Sequence, residues 1–279
     1  MSNVHLGTSM KPDQPLKKEG IAPFFRNTLF ASSRNFLQLV RRLTDSLGYS
    51  VVRKELLIDY CLHKYRSYDE YKEVQVRHNK RKITRVWADD ATLCRVIDIV
   101  LGLYGHSDTI EGLCHGTRNG FEQKFLNATC PKINAIGTDI SETATEFDNT
   151  ILWDFHDVNP KWVAGFDFIY SNSLDQAWNP MLALSTWLNQ VKIGGVVIIE
   201  HTESHGPLGA SEMDPFGVKP TVLPYVLTEW FGHQISISHT KAKKSNKDIY
   251  AWLFVVKKHT CTVNYLPDQG GFAPIHYAN

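Results

Sequence analysis

From residue 109 onward short apolar runs alternate with helical stretches, and no other feature narrows the fold as much. TIEGLC, KINAIGTDI, NTILWDF, FDFIYSN and GGVVIIEHT are too short for helices and apolar enough for buried strands, with MLALSTWLNQV as the clearest intervening helix. Strand, crossover helix and strand in repetition build a parallel sheet covered on both faces. ATLCRVIDIVLGLYG, just ahead of the first run, is an amphipathic helix that ends at Gly105. The end of the chain breaks the rhythm. HQISISHT and DIYAWLFVVKK are separated only by the polar KAKKSN, too short for a crossover helix, so they pair as an antiparallel hairpin. The expected fold class is α/β, a mostly parallel sheet closed by an antiparallel C-terminal hairpin.

Ahead of that region, FFRNTLFASSRNFLQLVRRL and VVRKELLIDYCLHKYRS place apolar residues at helical intervals. The expected organisation is a flexible tail over 1–20, a helical N-terminal cap or substrate region over 21–90, the main domain over 91–260 and an irregular tail over 261–279. A chain of 279 residues fits one large domain with an appended piece. No stretch has the apolar length of a membrane span, and the N-terminus lacks the apolar core of a secretion signal. Five cysteines, odd in number and without a C-x-x-C pair, favour reduced thiols over a disulfide scaffold or a thiolate zinc site. A soluble, cytoplasmic protein is expected. The formal net charge of +1 announces neither nucleic acid nor a membrane surface as partner. The basic stretch KEVQVRHNKRKITR, 72–85, fits an anionic substrate or a solvated face, and it lacks the aromatic interleaving of a groove that tracks a nucleic acid strand.

In an open parallel sheet ligands bind beyond the carboxyl ends of the strands, so residues there carry functional weight. The first strand ends in Cys114, His115, Gly116, Thr117, Arg118, Asn119 and Gly120, whose glycines let backbone pass under a ligand or simply make a tight turn. The second ends at Asp139, followed by Ile140 and Ser141. Asp139 lies 23 residues past Gly116, close to the spacing of an acid that accepts from ribose hydroxyls, although it and Ser141 also suit helix caps. The third ends in Trp153, Asp154, Phe155 and His156, an acid able to accept from an exocyclic amine beside an aromatic face, or core residues with a turn cap. The fourth runs into Ser171, Asn172, Ser173, Leu174, Asp175 and Gln176, a dense polar set where a buried strand gives out.

His201 and His205 follow the fifth strand and are candidate general bases, since histidine titrates near neutrality. Asp175 is the third catalytic candidate. Glu203, Glu212 and Asp214 lie near the histidines, but Gly206, Pro207 and Gly209 break the helix on which a spaced histidine pair would signal metal, so no metal is expected.

With these stations in place, segment 109–257 resembles the class I S-adenosylmethionine-dependent methyltransferases. CHGTRNG, GTDIS, WDFHD and IYSNSLDQ look like a bacterial subgroup of that family whose substrates are poorly defined. The resemblance implies a Rossmann-like seven-stranded sheet, a methyltransferase domain over 91–260 and S-adenosylmethionine as cofactor. Cys114 to Asn119 would then pass under the methionyl portion, with Asp139 and Ile140 at the ribose. Asp154 and Phe155 would face the adenine, and Ser171, Asn172 and Ser173 would border the sulfonium and the substrate opening. The acceptor implied is a hydroxyl of a small molecule or glycan, walled by the helical N-terminus and the loop 202–224. The glycine loop departs from the family pattern: Cys114, Gly116 and Arg118 fall on the three glycine slots and Gly112 falls where an acid is usual. A variant loop in which Arg118 or Asn119 reaches the cofactor carboxylate accommodates this. Two other readings remain, an NAD(P)-dependent Rossmann oxidoreductase and a binding module without catalysis. The first calls for G-x-G-x-x-G after the first strand, where this chain has G-x-x-x-G.

Overall fold

A computed structural model describes residue 36 and residues 38–49, 58–245, 247–266 and 276–278. The chain divides into two compact units, 1–54 and 55–279. In the first, residues 38–46 are helical. The expected tail over 1–20 and the expected helix before residue 36 lie outside the described residues.

The second unit opens with β1 (Tyr60–His63), α1 (Tyr68–Arg81) and α2 (Asp90–Tyr104), followed by β2 (Ile110–His115), α3 (Phe121–Thr129), β3 (Ile133–Asp139), β4 (Thr150–Leu152) and β5 (Phe166–Ser171). It continues through α4 (Pro180–Gln190), β6 (Val191–His201), β7 (Phe216–Val218), α5 (Leu223–Phe231), β8 (Ile235–Lys243), β9 (Tyr250–Lys258) and β10 (His276–Ala278). Seven strands form one sheet in the order β4-β3-β2-β5-β6-β9-β8. The five on the β4 side are mutually parallel, while β9 runs antiparallel to both β6 and β8. Strand order reverses at β2, which lies between β3 and β5, so the crevice expected for a ligand opens above His115 and Ser171.

Local signals explain the helices. Ser67 caps α1 by accepting from Glu70 N at 3.2 Å, and Asp89 caps α2 by accepting from Thr92 N at 3.0 Å. Because side chains alternate across a strand, each sheet face carries its own core. Leu113, Ile169, Val197 and Ile199 pack against Leu184 and Trp187 of α4 and Val226 and Phe231 of α5. Cys114, Phe168, Tyr170 and Ile198 face Leu93 and Val96 of α2 and Leu126 of α3. The parallel sheet, the helices on both faces and the terminal hairpin match the sequence reading.

Two expectations are corrected. VVRKELLIDYCLHKYRS was expected to be helical through residue 65, yet Tyr60–His63 is a strand, antiparallel to β7 and parallel to β10. The same pairing makes 276–278 a strand, where an irregular tail was expected. In both cases the partner lies far away in sequence, and short apolar runs carry no periodicity able to announce such a pairing.

Gly112 sits in the middle of the central strand with no room for a side chain: a Cβ there would come within 2.4 Å of Phe168 Cζ and 3.2 Å of Ala135 Cβ. Phe168 is fully buried and cannot swing away. We predict that Gly112→Ala lowers the unfolding free energy by about 1–3 kcal/mol, the usual cost of overpacking a core, read from the urea midpoint. An unchanged midpoint would show that the sheet gives way there.

Candidate active site

The turn after β2 is built around glycine. Gly116 has φ +72°, and a Cβ on it would stand 2.5 Å from Ser173 Oγ, so the close approach of the β5 end requires a residue without one. Gly120, at φ +70°, opens α3. Arg118 is held at φ +49°, an uncommon conformation for a residue with a side chain.

Asp139, at the end of β3, holds that turn. Its Oδ2 accepts from Arg118 N at 2.8 Å, and its Oδ1 accepts from Ser141 N at 2.9 Å and from Asn79 Nδ2 at 2.7 Å. Burial pushes its carboxyl above the ordinary value, and these hydrogen bonds work against the rise. Asp154, beyond β4, is tied in a similar way. Its Oδ1 accepts from His156 N at 2.9 Å and lies 2.7 Å from His156 Nδ1, while its Oδ2 accepts from Tyr68 OH at 2.5 Å. Burial raises the Asp154 carboxyl, but the bonds from His156 and Tyr68 outweigh it and leave it below its usual value. Asn79 and Tyr68 both belong to α1, which therefore lies across the strand ends. Its far side is fixed to the loop near residue 213, where Gln75 Nε2 donates to Met213 O at 3.1 Å.

Two cavities result. The first is lined by Gly116, Arg118, Asp139, Ile140, Asp154 and Phe155 from the strand ends. Tyr71, Gln75, His78 and Asn79 of α1 roof it, and Asp214 and Gln176 close its side. The second is lined by Thr117, Asn119, Glu122, Asn172, Asp175 and His205, with Trp87 at its wall. Gly116, Arg118 and Gln176 border both, so the two adjoin at the glycine turn.

The remaining sequence candidates stand behind these walls. Cys114 is buried in the core below the turn. His115 stacks on Trp187 and bonds Thr138 Oγ1 and Gln190 Oε1, each at 2.8 Å. Ser171 Oγ donates to His115 O at 3.0 Å and Ser173 Oγ to Gly116 O at 3.2 Å, which brace the turn from below. His201 lines neither cavity and keeps its Nε2 at 2.9 Å from Val218 O. Sequence reasoning missed Tyr68, Asn79, Trp87 and Glu122. Glu122 had a signal in hindsight, an acid in the first turn after the glycine loop; Asn79 had none, since α1 reads only as a basic helix.

The cavities contain polar atoms left without partners. Among the described residues, Thr117 Oγ1, Arg118 Nε, Glu122 Oε2 and Asp175 Oδ1 are buried and make no hydrogen bond. Burial lifts Glu122 and Asp175 each to about 7. The same desolvation lowers His205 to about 4 and His201 to about 3. No group of three or more His, Cys, Asp or Glu among the described residues could hold a metal ion. No described helix is long and apolar enough to cross a membrane.

Strand order and site together define the Rossmann-like fold of the class I methyltransferases. No protein-family model and no curated protein sequence matches the chain. Among solved structures, the 1,6-didemethyltoxoflavin-N1-methyltransferase of Burkholderia thailandensis is similar at 12% identity, covering 71% of this chain and 92% of that one, with a TM-score of 0.54. The N-methyltransferase NodS of Bradyrhizobium japonicum matches at 12% identity over 66% of this chain and 98% of its own, with a TM-score of 0.48. At such identity the likeness establishes the fold.

Asn79→Ala removes one donor to a buried carboxylate, and we predict a loss of about 1.5–3 kcal/mol in stability, the scale of a hydrogen bond to a charged group. Chemical denaturation measures it. A loss under about 0.5 kcal/mol would mean that α1 is not held to the β3 end through this bond.

Proposed function

We propose that the protein is an S-adenosylmethionine-dependent methyltransferase acting on a small polar acceptor. The observation that carries the reading is the convergence of Gly116, Asp139 and Asp154, from three successive strand ends, on one cavity that adjoins a second at the glycine turn. The partnerless atoms fit the same cofactor. Arg118 Nε suits its carboxylate and Glu122 Oε2 suits its ammonium group, which gives the altered glycine loop a use for both residues. The Burkholderia enzyme of like fold was crystallised with S-adenosylhomocysteine, which supports the choice of cofactor. Nothing in the cavity favours a nicotinamide, and the G-x-G-x-x-G turn remains absent.

In this reading Asp139 binds the ribose, Asp154 and Phe155 the adenine, and Asn172 the edge of the substrate opening. When bound, the cofactor supplies a methyl carbon on a sulfonium, and an acceptor lone pair displaces the thioether from it. The chain contributes alignment, exclusion of water and a place for the acceptor proton. For that last role Asp175 is the better candidate. It lines the second cavity, its Oδ1 is buried without a hydrogen-bond partner among the described residues, and a carboxyl lifted to about 7 is a useful base near neutral pH. His205, at about 4, is a weak base, and His201 stands outside both cavities. A hydroxyl acceptor, the expectation from sequence, and an amino acceptor both have a proton to surrender to Asp175.

Calorimetry with S-adenosylmethionine and with NADH tests the assignment: the first binds and the second does not. Asp139→Asn and Asp139→Ala weaken the binding by about 1–3 kcal/mol; full affinity in a folded variant would remove Asp139 from the site. The methylation rate at saturation rises with pH up to about 7, because a raised carboxyl is protonated, and inert as a base, below that value. Glu122→Gln leaves this limb in place. A limb near 4 would transfer the role to His205.

A further inference from the structure

The net charge of +1 conceals an uneven distribution along the chain. Between residues 20 and 54 the sequence holds Arg26, Arg34, Arg41, Arg42, Arg53 and Lys54 against a lone acid, Asp45. Within that stretch residue 36 and residues 38–46 are helical. Phe36, Leu39, Leu43 and Leu47 follow one another at three- and four-residue steps and so form one stripe. All four are exposed, at 65%, 56%, 57% and 73%. Single exposed apolar residues are ordinary, but a contiguous stripe of them marks an interaction surface. Arg41, Arg42 and Asp45, all exposed, occupy the rest of the helix circumference.

The end of the helix is closed by its own hydrogen bonds. Tyr49 N donates to Thr44 O at 2.9 Å and Gly48 N to Asp45 O at 3.1 Å, with Gly48 at φ +80°, the geometry of a Schellman motif. Thr44 Oγ1 donates to Val40 O at 3.0 Å and Ser46 Oγ to Leu43 O at 2.7 Å. These bonds lower the cost of placing the helix end in a poorly hydrated layer.

We propose that this helix is an interfacial anchor that lies on an anionic lipid surface, with the Phe and Leu stripe in the acyl boundary and the cations toward the phosphates. The proposal goes beyond methyl transfer and does not depend on it. Burial of an apolar face and attraction of Arg and Lys to anionic headgroups act together in such helices, and six cations against one acid supply the charge match. Phe36 and Tyr49 put aromatic rings at the two ends of the stripe, where the headgroup layer favours them. A second copy of the helix is the weaker occupant. Ser32 and Ser33 stand where the stripe would continue toward the N-terminus, and the Gly48 turn ends it on the other side. From Phe36 to Leu47 it covers fewer than two heptads, against the roughly three or four that paired helices need for a coiled coil.

The test is flotation of the full-length protein with vesicles of phosphatidylcholine alone and with vesicles of phosphatidylcholine and phosphatidylglycerol in equal parts. The expected result is binding roughly ten-fold or more tighter to the anionic vesicles, weakened by high salt. The double variant Leu39→Asp/Leu43→Asp lowers that binding by roughly ten-fold or more, and Arg42→Gln lowers it by about three-fold. Ile193→Asp, at an exposed apolar position of β6, leaves it unchanged. Because both leucines are exposed, the double variant keeps the urea midpoint of the parent protein. Equal binding to the two vesicle types overturns the proposal, as does an absence of binding to either or binding that survives the double variant. A lowered urea midpoint would mean that the chain itself covers the stripe, and the proposal falls. It falls too if sedimentation velocity shows a dimer that the double variant converts to monomer while vesicles are not bound, which assigns the stripe to a second copy. None of these outcomes depends on whether S-adenosylmethionine binds.

Discussion

One carboxylate holds the upper rim of this molecule together. Asp139 receives hydrogen bonds from the backbone of the glycine turn, from the backbone that follows β3 and from the side chain of α1. A buried carboxylate without donors would be costly, so these groups are drawn to it and fixed relative to one another. The turn after β2 thereby gains its shape, and the roof over the first cavity gains its position. With roughly four lone-pair sites on a carboxylate and three already filled by the chain, Asp139 retains one for a ligand before α1 moves. A ligand presenting two hydroxyls to Asp139 would have to displace the Asn79 amide. The roof is thus part of the chemistry of the site and not merely a cover.

The central sheet was legible because its strands are buried on both faces and therefore read as unbroken apolar runs bounded by polar loops. The hairpin was legible because the linker between its strands is too short for a helix. From these two facts the strand ends could be placed, and with them Gly116, Asp139 and Asp154. The second sheet was not legible. β1, β7 and β10 are three or four residues long and find their partners across most of the chain, and pairing at that separation leaves no local trace in composition. Asn79 and Tyr68 escaped for a related reason. Helical periodicity tells which face of α1 is buried, but not that the face lands on two carboxylates from other elements.

Burial acts in opposite ways on the base candidates that the sequence offers, His201, His205 and Asp175, and the cause is general. In water histidine titrates close to neutrality and aspartate well below it, so a loop with two histidines attracts attention. Removing water disfavours whichever form carries charge. For histidine that form is the protonated one, and burial carries His205 away from neutrality; for aspartate it is the ionised one, and burial carries Asp175 toward it. In a desolvated site the two residue types thus shift in opposite directions. A reader of sequence sees the identities but not the burial, which depends on the elements that pack around the strand ends.

The same desolvation links the two halves of the site. Arg118 and Glu122, each with a buried polar atom that lacks a hydrogen-bond partner among the described residues, stand on the wall of the second cavity together with Asp175. The role proposed for Asp175 draws on the same cause: burial lifts its carboxyl to about 7, where it can take a proton near neutral pH.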